Sequence, residues 1–193
     1  MIRARFFVVF LTSLTLAACT TGPSRDVTGS NTSQLRLCSG TSISNAPQAD
    51  RRGTITGYQP QANIGGVWLY RAPVDGCLSS GYGPRRGGAG RFHEGVDLYT
   101  GQPRAIIAGG DGVVEFVGNQ RGYGRTVVIK HNNRVQTRYA HLSSYARGLS
   151  RGDRVNGGMV IGKTGDSGNA TAIHLHYEIL LRDRPVDPLT AGK

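Results

Sequence analysis

The chain has 193 residues, a formal net charge of +11, 29 glycines and only 5 histidines. Glycine at that density argues against long helices, because each interior glycine costs a helix about 1 kcal/mol relative to alanine. The length accommodates one compact domain plus flanking sequence, and the basic balance would fit a nucleic-acid partner if nothing else excluded it.

The N-terminus excludes it. Arg3 and Arg5 precede the apolar run Phe6 to Leu11, and the segment closes on Leu16-Ala17-Ala18 before Cys19. A short cationic start, an apolar core too short to span a bilayer and small residues at the end mark residues 1–18 as an export signal. Its removal lowers the net charge by two, from +11 to +9, and export takes nucleic acid out of reach. A cysteine directly after Ala17-Ala18 resembles the bacterial lipoprotein signal, which implies that Cys19 is lipidated and becomes the mature N-terminus. Thr20, where an aspartate could stand, is similar to Gram-negative lipoproteins of the outer membrane. The implied location is the periplasm, lipid-anchored at the inner face of the outer membrane. An ordinary cleaved signal with an incidental cysteine is the alternative.

Residues 19–66 are rich in Ser, Thr, Gly, Asn and Gln and contain no Phe or Trp. Such a stretch buries too little apolar surface to offset chain entropy, so a largely unstructured polar linker is expected. A flexible tether of that kind has a typical reach of roughly 35–40 Å. Once the signal is gone two cysteines remain, Cys38 and Cys77. In an exported chain an even pair is a disulfide candidate, with two unpaired thiols as the other possibility.

From residue 67 to 193 the pattern is that of strands. Runs at Val113-Val114, Thr126 to Ile129, Arg134 to Tyr139 and Met159 to Ile161 alternate with Gly, Asn and Asp turns. No long stretch carries a helical period, so this domain is expected to be all-β and antiparallel.

Four of the five histidines fall into three short motifs: His93-Glu94-Gly95-Val96-Asp97, His141 in Tyr139-Ala140-His141-Leu142, and His174-Leu175-His176. A single histidine in a β-rich domain is more often a hydrogen-bonded structural residue than a ligand. Together, however, four histidines and Asp97 offer more groups than the three protein ligands of a catalytic zinc require. Ile173, Leu175, Tyr177 and Ile179 alternate with His174, His176 and Glu178, the signature of a half-buried strand. On it His174 and His176 share a face roughly 6.5–7 Å apart, which suits one ligand and one neighbour better than two equal ligands. His93 and Asp97 would be about 13 Å apart on a straight strand, so a bend or bulge is expected at Gly95. His131, after an apolar run and before Asn132-Asn133, reads as a strand-end or groove-lining residue.

The ordered series of pieces between Trp68 and Pro188 resembles the lysostaphin/LytM-type zinc metalloendopeptidases of bacterial cell walls, M-class peptidase family 23. Beside the histidine motifs, the matching pieces include Ser79 to Arg85, Ile107 to Val114, Tyr123 to His131, Ile161 to Gly165 and Tyr177-Glu178. The resemblance implies a LytM-type β-sandwich, duplicated-hybrid-motif-like, with Zn2+ held by His93, Asp97 and His176. It implies that His141 and His174 are the catalytic pair and that the substrate is the peptide cross-link between peptidoglycan stems. Ala172 and Ile173 depart from the small-residue and proline positions common before the H-x-H, which bears on the shape of the neighbouring groove.

On this reading zinc lowers the pKa of its water to about 7. His141 and His174, with ordinary values near 6.5, then take a proton from that water and return it to the leaving amine. Arginines in the turns, Arg85, Arg86, Arg91, Arg121 and Arg125, suit an anionic polymer with free carboxylates. Two other roles fit the resemblance. One is a non-catalytic activator of a cell-wall amidase, whose like have typically lost zinc ligands, whereas every ligand position is filled here. The other is a structural lipoprotein that binds peptidoglycan.

Overall fold

A computed structural model of the chain describes residues 33–40, 43–85 and 92–192. The export signal and Cys19 lie outside the described residues. Every regular element among those described is a strand, as the glycine content and the period-2 runs require. In chain order they are β1 (Gln61–Ile64), β2 (Val67–Tyr70), β3 (Cys77–Ser80), β4 (Gly83–Pro84), β5 (Phe92–His93), β6 (Val96–Tyr99) and β7 (Ala105–Ile107). Then come β8 (Gly112–Gln120), β9 (Gly124–Lys130), β10 (Val135–Ala140), β11 (Leu142–Tyr145), β12 (Arg154–Val155), β13 (Val160–Thr164), β14 (His174–Leu181) and β15 (Arg184–Val186).

The main sheet runs β12-β8-β9-β10-β14-β6-β3, with β15 added beside β14, and a smaller sheet runs β11-β13-β7. Every pairing between named strands is antiparallel. Ile106, Leu142 and Ile161 of the smaller sheet join Val127, Ile129, Tyr139, Leu175 and Tyr177 of the larger in one apolar core. Burial of each such side chain contributes about 1.5–3 kcal/mol, so the core fixes how the two sheets face each other.

Strand β14 departs from the half-buried expectation. Leu175, Tyr177 and Ile179 are fully buried in the core, but His176 and Glu178 on the opposite face are buried as well. The strand lies between β10 and β6, and the side chains that close over its polar face belong to the site described below.

The linker expectation does not hold for the described residues upstream of β1. Leu35 is fully buried, and Ile55 and Tyr58 nearly so. Leu37 and Ser44 form parallel bridges with Leu78 and Ser80, so this segment covers the outer edge of β3. A disulfide joins Cys38 to Cys77, with the Cα atoms 5.0 Å apart. The segment carries too few apolar residues to build a core of its own, yet Leu35, Ile55 and Tyr58 join the core of the following domain and Leu37 packs against it.

Candidate metal centre

Register brings the first two groups together. His176 on β14 stands directly opposite Asp97 on β6, and Ala140 of β10 and Ser80 of β3 continue the same row. Directly opposite residues of antiparallel strands share a face, with Cβ atoms about 4.5–5.5 Å apart. Imidazole and carboxylate therefore meet, His176 Nδ1 lying 2.9 Å from Asp97 Oδ1.

His93 arrives from another sheet. β5 pairs with β4, the backbone bends at Gly95, and the chain then enters the main sheet as β6. The bend replaces the straight-strand separation by contact: His93 Nε2 is 3.1 Å from Asp97 Oδ1 and 3.1 Å from His176 Nδ1. Only glycine fits at the bend, since a Cβ on Gly95 would lie 2.2 Å from the Tyr177 carbonyl oxygen.

The far side of each group determines what its near side offers. His93 Nδ1 is 2.7 Å from the Gly81 carbonyl oxygen, which can only accept, so Nδ1 carries the hydrogen and Nε2 presents a lone pair. His176 Nε2 donates to Glu178 Oε1 at 2.9 Å, leaving Nδ1 toward Asp97. Asp97 Oδ2 accepts from Arg85 at 2.8 Å, leaving Oδ1 toward the two rings. Three electron-pair donors thus converge on one point, all within 4.8 Å of one another, and only a cation satisfies them. Zinc with ligand bonds of about 2.0–2.2 Å suits two imidazole nitrogens and one carboxylate oxygen, each with an outer partner that holds its orientation.

In the absence of a metal that cation is a proton. Burial disfavours charge on His176, but its hydrogen bonds to Asp97 and Glu178 and the charge on those carboxylates outweigh it and raise the pKa to about 9. Burial likewise opposes ionisation of Asp97, yet hydrogen bonding with His176 and His93 and the attraction of the two rings hold its carboxyl well below the usual range. The same balance lowers Glu178, through His176, Arg138 and Tyr123.

Two more imidazoles flank the three donors. His141 follows β10 at the turn into the smaller sheet, and its φ of +63° is one that non-glycine residues rarely adopt. Its Nδ1 donates to the Ser167 carbonyl at 2.7 Å, and His174 Nδ1 donates to the Ala172 carbonyl at 2.7 Å. With Nδ1 so engaged, each ring leaves its Nε2 available on the far side, and that of His174 lies 3.7 Å from Asp97 Oδ1. The centroids of His141 and His174 are 4.8 Å apart, and His141 is 5.9 Å from His176. Burial, reinforced by the charges of His174 and His176 against the Ser167 hydrogen bond, pushes His141 down to about 4, so it is neutral at neutral pH. The five groups open into a groove of about 550 Å³, walled by Phe92 and Glu94 on one side and by Tyr123, Asn169 and Thr171 on others.

The structure thus brings His93, Asp97, His141, His174 and His176 into one site. His131 lies outside it, with its two ring nitrogens on the Asp111 carbonyl and the Thr137 hydroxyl. Sequence reasoning passed over four supporting residues. Glu178 is fully buried, holds His176, and is itself held by Tyr123 at 2.7 Å and paired with Arg138. Arg85, read from the sequence as the end of a matching piece and as part of a basic rim, is bonded to Asp97 and Ser80. The alternation that put His174 and His176 on one face also put Glu178 there, and that was the available signal. Arg138 gave none, because its position opposite Glu178 comes from the β10–β14 register.

The description of peptidase family M23 matches residues 91–188, just over half of the chain. A DD-carboxypeptidase/endopeptidase, Mpg, of Neisseria meningitidis is 43% identical over 102 residues, covering 53% of this chain and 23% of that protein. The peptidoglycan DD-endopeptidase ShyA of Vibrio cholerae is 38% identical over 128 residues, covering 63% and 29%. The murein hydrolase activator NlpD of Salmonella dublin is 33% identical over 124 residues, covering 64% and 31%. Among solved structures, a zinc-containing peptidase from Vibrio cholerae superposes with a TM-score of 0.59 at 35% identity, over 64% of this chain and 40% of that one. The chain spans about a quarter to a third of the length of these curated relatives, between 23% and 31%.

Proposed function

The chain belongs to peptidase family M23, and from that premise we propose that it is a zinc-dependent endopeptidase that hydrolyses the peptide cross-links of bacterial peptidoglycan. The observation that carries the reading is the meeting of His93 Nε2, Asp97 Oδ1 and His176 Nδ1 beside two imidazoles that keep free Nε2 atoms, all in one open groove. Zinc bound to the three donors would supply Lewis acidity toward a water and toward the scissile carbonyl.

The remaining work falls to the chain itself. The Gly81 carbonyl, Arg85 and Glu178 orient the three donors, so that ligand geometry is set before substrate arrives. His141 and His174, anchored through Nδ1, turn Nε2 toward the site. There they accept the proton of the attacking water and deliver it to the departing amine. No serine or cysteine nucleophile is needed, and Cys38 and Cys77 are bound to each other.

The likeness to the activator NlpD favours a second reading, in which the domain opens a wall amidase without cutting. The filled donor set argues for catalysis instead. Incubating purified chain with isolated sacculi, followed by muramidase digestion, separates them: the enzyme alone raises the share of uncross-linked over cross-linked muropeptides, a chelator stops this, and zinc restores it. Sacculi left intact by zinc-loaded protein, but cut when an amidase is added, would establish the activator.

Lipidation of Cys19 is proposed with this function, as a means of holding the enzyme near its wall substrate from the outer membrane. Replacing Cys19 by serine is expected to move the protein from the membrane fraction to the soluble periplasm. Unchanged membrane fractionation would contradict the lipid anchor.

A further inference from the structure

The hairpin of β1 and β2 has two chemically different faces. Ala62, Ile64 and Leu69 turn inward and are buried in the core. The register sets Gln61 opposite Tyr70 and Asn63 opposite Trp68, so these four side chains share the outward face. Trp68 is 65% exposed, the most exposed large hydrophobic side chain among the described residues. An indole held at the surface beside a tyrosine and polar groups offers both an apolar face and a polar edge to a ligand.

A groove of about 480 Å³ runs along this face, from Gln61, Trp68 and Tyr70 to Asp111. Its floor is glycine backbone. A Cβ on Gly110 would lie 2.7 Å from the Trp68 carbonyl oxygen, and one on Gly109 2.8 Å from the Tyr177 hydroxyl, so neither position admits a side chain. The groove thus joins a glycine floor, two aromatic residues, the Gln61 carboxamide and the Asp111 carboxylate. Asp111 accepts from the Gly157 amide through Oδ1, and its Oδ2 has no hydrogen-bond partner among the described residues.

From this arrangement we infer that the β1–β2 face is a second binding site, for the glycan strand of peptidoglycan. Pyranose rings present apolar C–H faces, which stack on an indole or phenol, and equatorial hydroxyl and acetamido groups, which pair with carboxamides and carboxylates. The groove offers both kinds of partner at once. A lipid surface would prefer cations around the tryptophan, whereas the polar groups lining this groove beside Trp68 are Gln61, Asp111 and His131, and His131 already has both nitrogens engaged.

Its position gives the site a use. The side chains that meet this groove lie on the opposite face of the main sheet from the candidate centre: His131 reaches Thr137, Tyr139 accepts from the Gly109 amide and Tyr177 donates to the Tyr70 carbonyl, whereas Ala140 and His176 share the other face with Asp97. A domain that holds the glycan on one face and cuts cross-links on the other stays on the polymer between cleavages. This rests on the peptidoglycan reading above.

Trp68 is the only tryptophan of the chain, so its emission reports the site alone. Titrating the full chain with glycan strands stripped of stem peptides is expected to shift and saturate that emission, and Tyr70→Ala or Gln61→Ala to weaken the titration roughly tenfold. Trp68→Ala is expected to lose retention on stripped glycan and to cut sacculi several-fold more slowly, yet to cut soluble, glycan-free cross-linked peptides at the parent rate. Emission that ignores stripped glycan, or that responds only to anionic phospholipid vesicles, overturns the inference. So does a Trp68→Ala variant with unchanged glycan retention. Failure of the parent to cut the soluble peptides would instead count against the enzyme reading, which the fluorescence titration does not assume.

Discussion

Glu178 shows how a residue that never touches the metal position still governs it. One carboxylate oxygen holds the Nε2 hydrogen of His176 and the other pairs with Arg138, so the carboxylate is ionised although fully buried. Together with Asp97 it keeps metal-free His176 protonated up to about pH 9. A metal must displace the proton on Nδ1. Its apparent affinity is therefore expected to rise with pH, by up to about tenfold per unit below 9, and to level off above. Glu178→Gln removes one of the two carboxylates that sustain the imidazolium. The levelling-off should then begin at lower pH, and affinity on the plateau should fall about 10–100-fold. Competition titrations against a chromophoric chelator from about pH 6 to about pH 11, across the His176 transition near 9, would measure both. A flat profile for the parent chain would contradict the proton–metal competition.

At the scale of elements, the strand pattern was legible where alternation is local. The face shared by His174 and His176 followed from period 2, and the bend at Gly95 followed from the impossibility of joining His93 to Asp97 along a straight strand. What could not be read depends on pairing between distant segments. The depth of Glu178 comes from β10 lying alongside β14, with Arg138 opposite it. The folding of the segment upstream of β1 onto β3 was equally hidden, because Leu35, Ile55 and Tyr58 join a core built mainly by the strands that follow, and the segment itself shows no strand pattern. Cys38 and Cys77 were visible as a pair, but not the segment they secure. Across a separation of 39 residues the disulfide constrains the unfolded chain by about 4 kcal/mol in the chain-entropy description. A Cys38→Ser, Cys77→Ser double variant is thus expected to unfold at clearly lower denaturant with the same cooperativity. An unchanged midpoint would mean that the segment is held by its burial alone.

For the whole molecule, one sheet carries the candidate centre on the face of Ala140 and His176, and its other face meets the aromatic hairpin through Tyr177. Among the described residues, none of the covalent strap across β3 lines the candidate groove. The central claim is a division of labour inside one histidine motif: His176 and Asp97 hold the metal, while His174, two residues away on the same face, handles the proton. Zinc content measured beside sacculus cleavage, on His174→Ala and His176→Ala proteins from the same preparation, tests it most directly. His174→Ala should retain about one zinc per chain and lose about 10²–10⁴-fold in cleavage, and His176→Ala should lose zinc and cleavage together. Zinc lost from His174→Ala but kept by His176→Ala would contradict it.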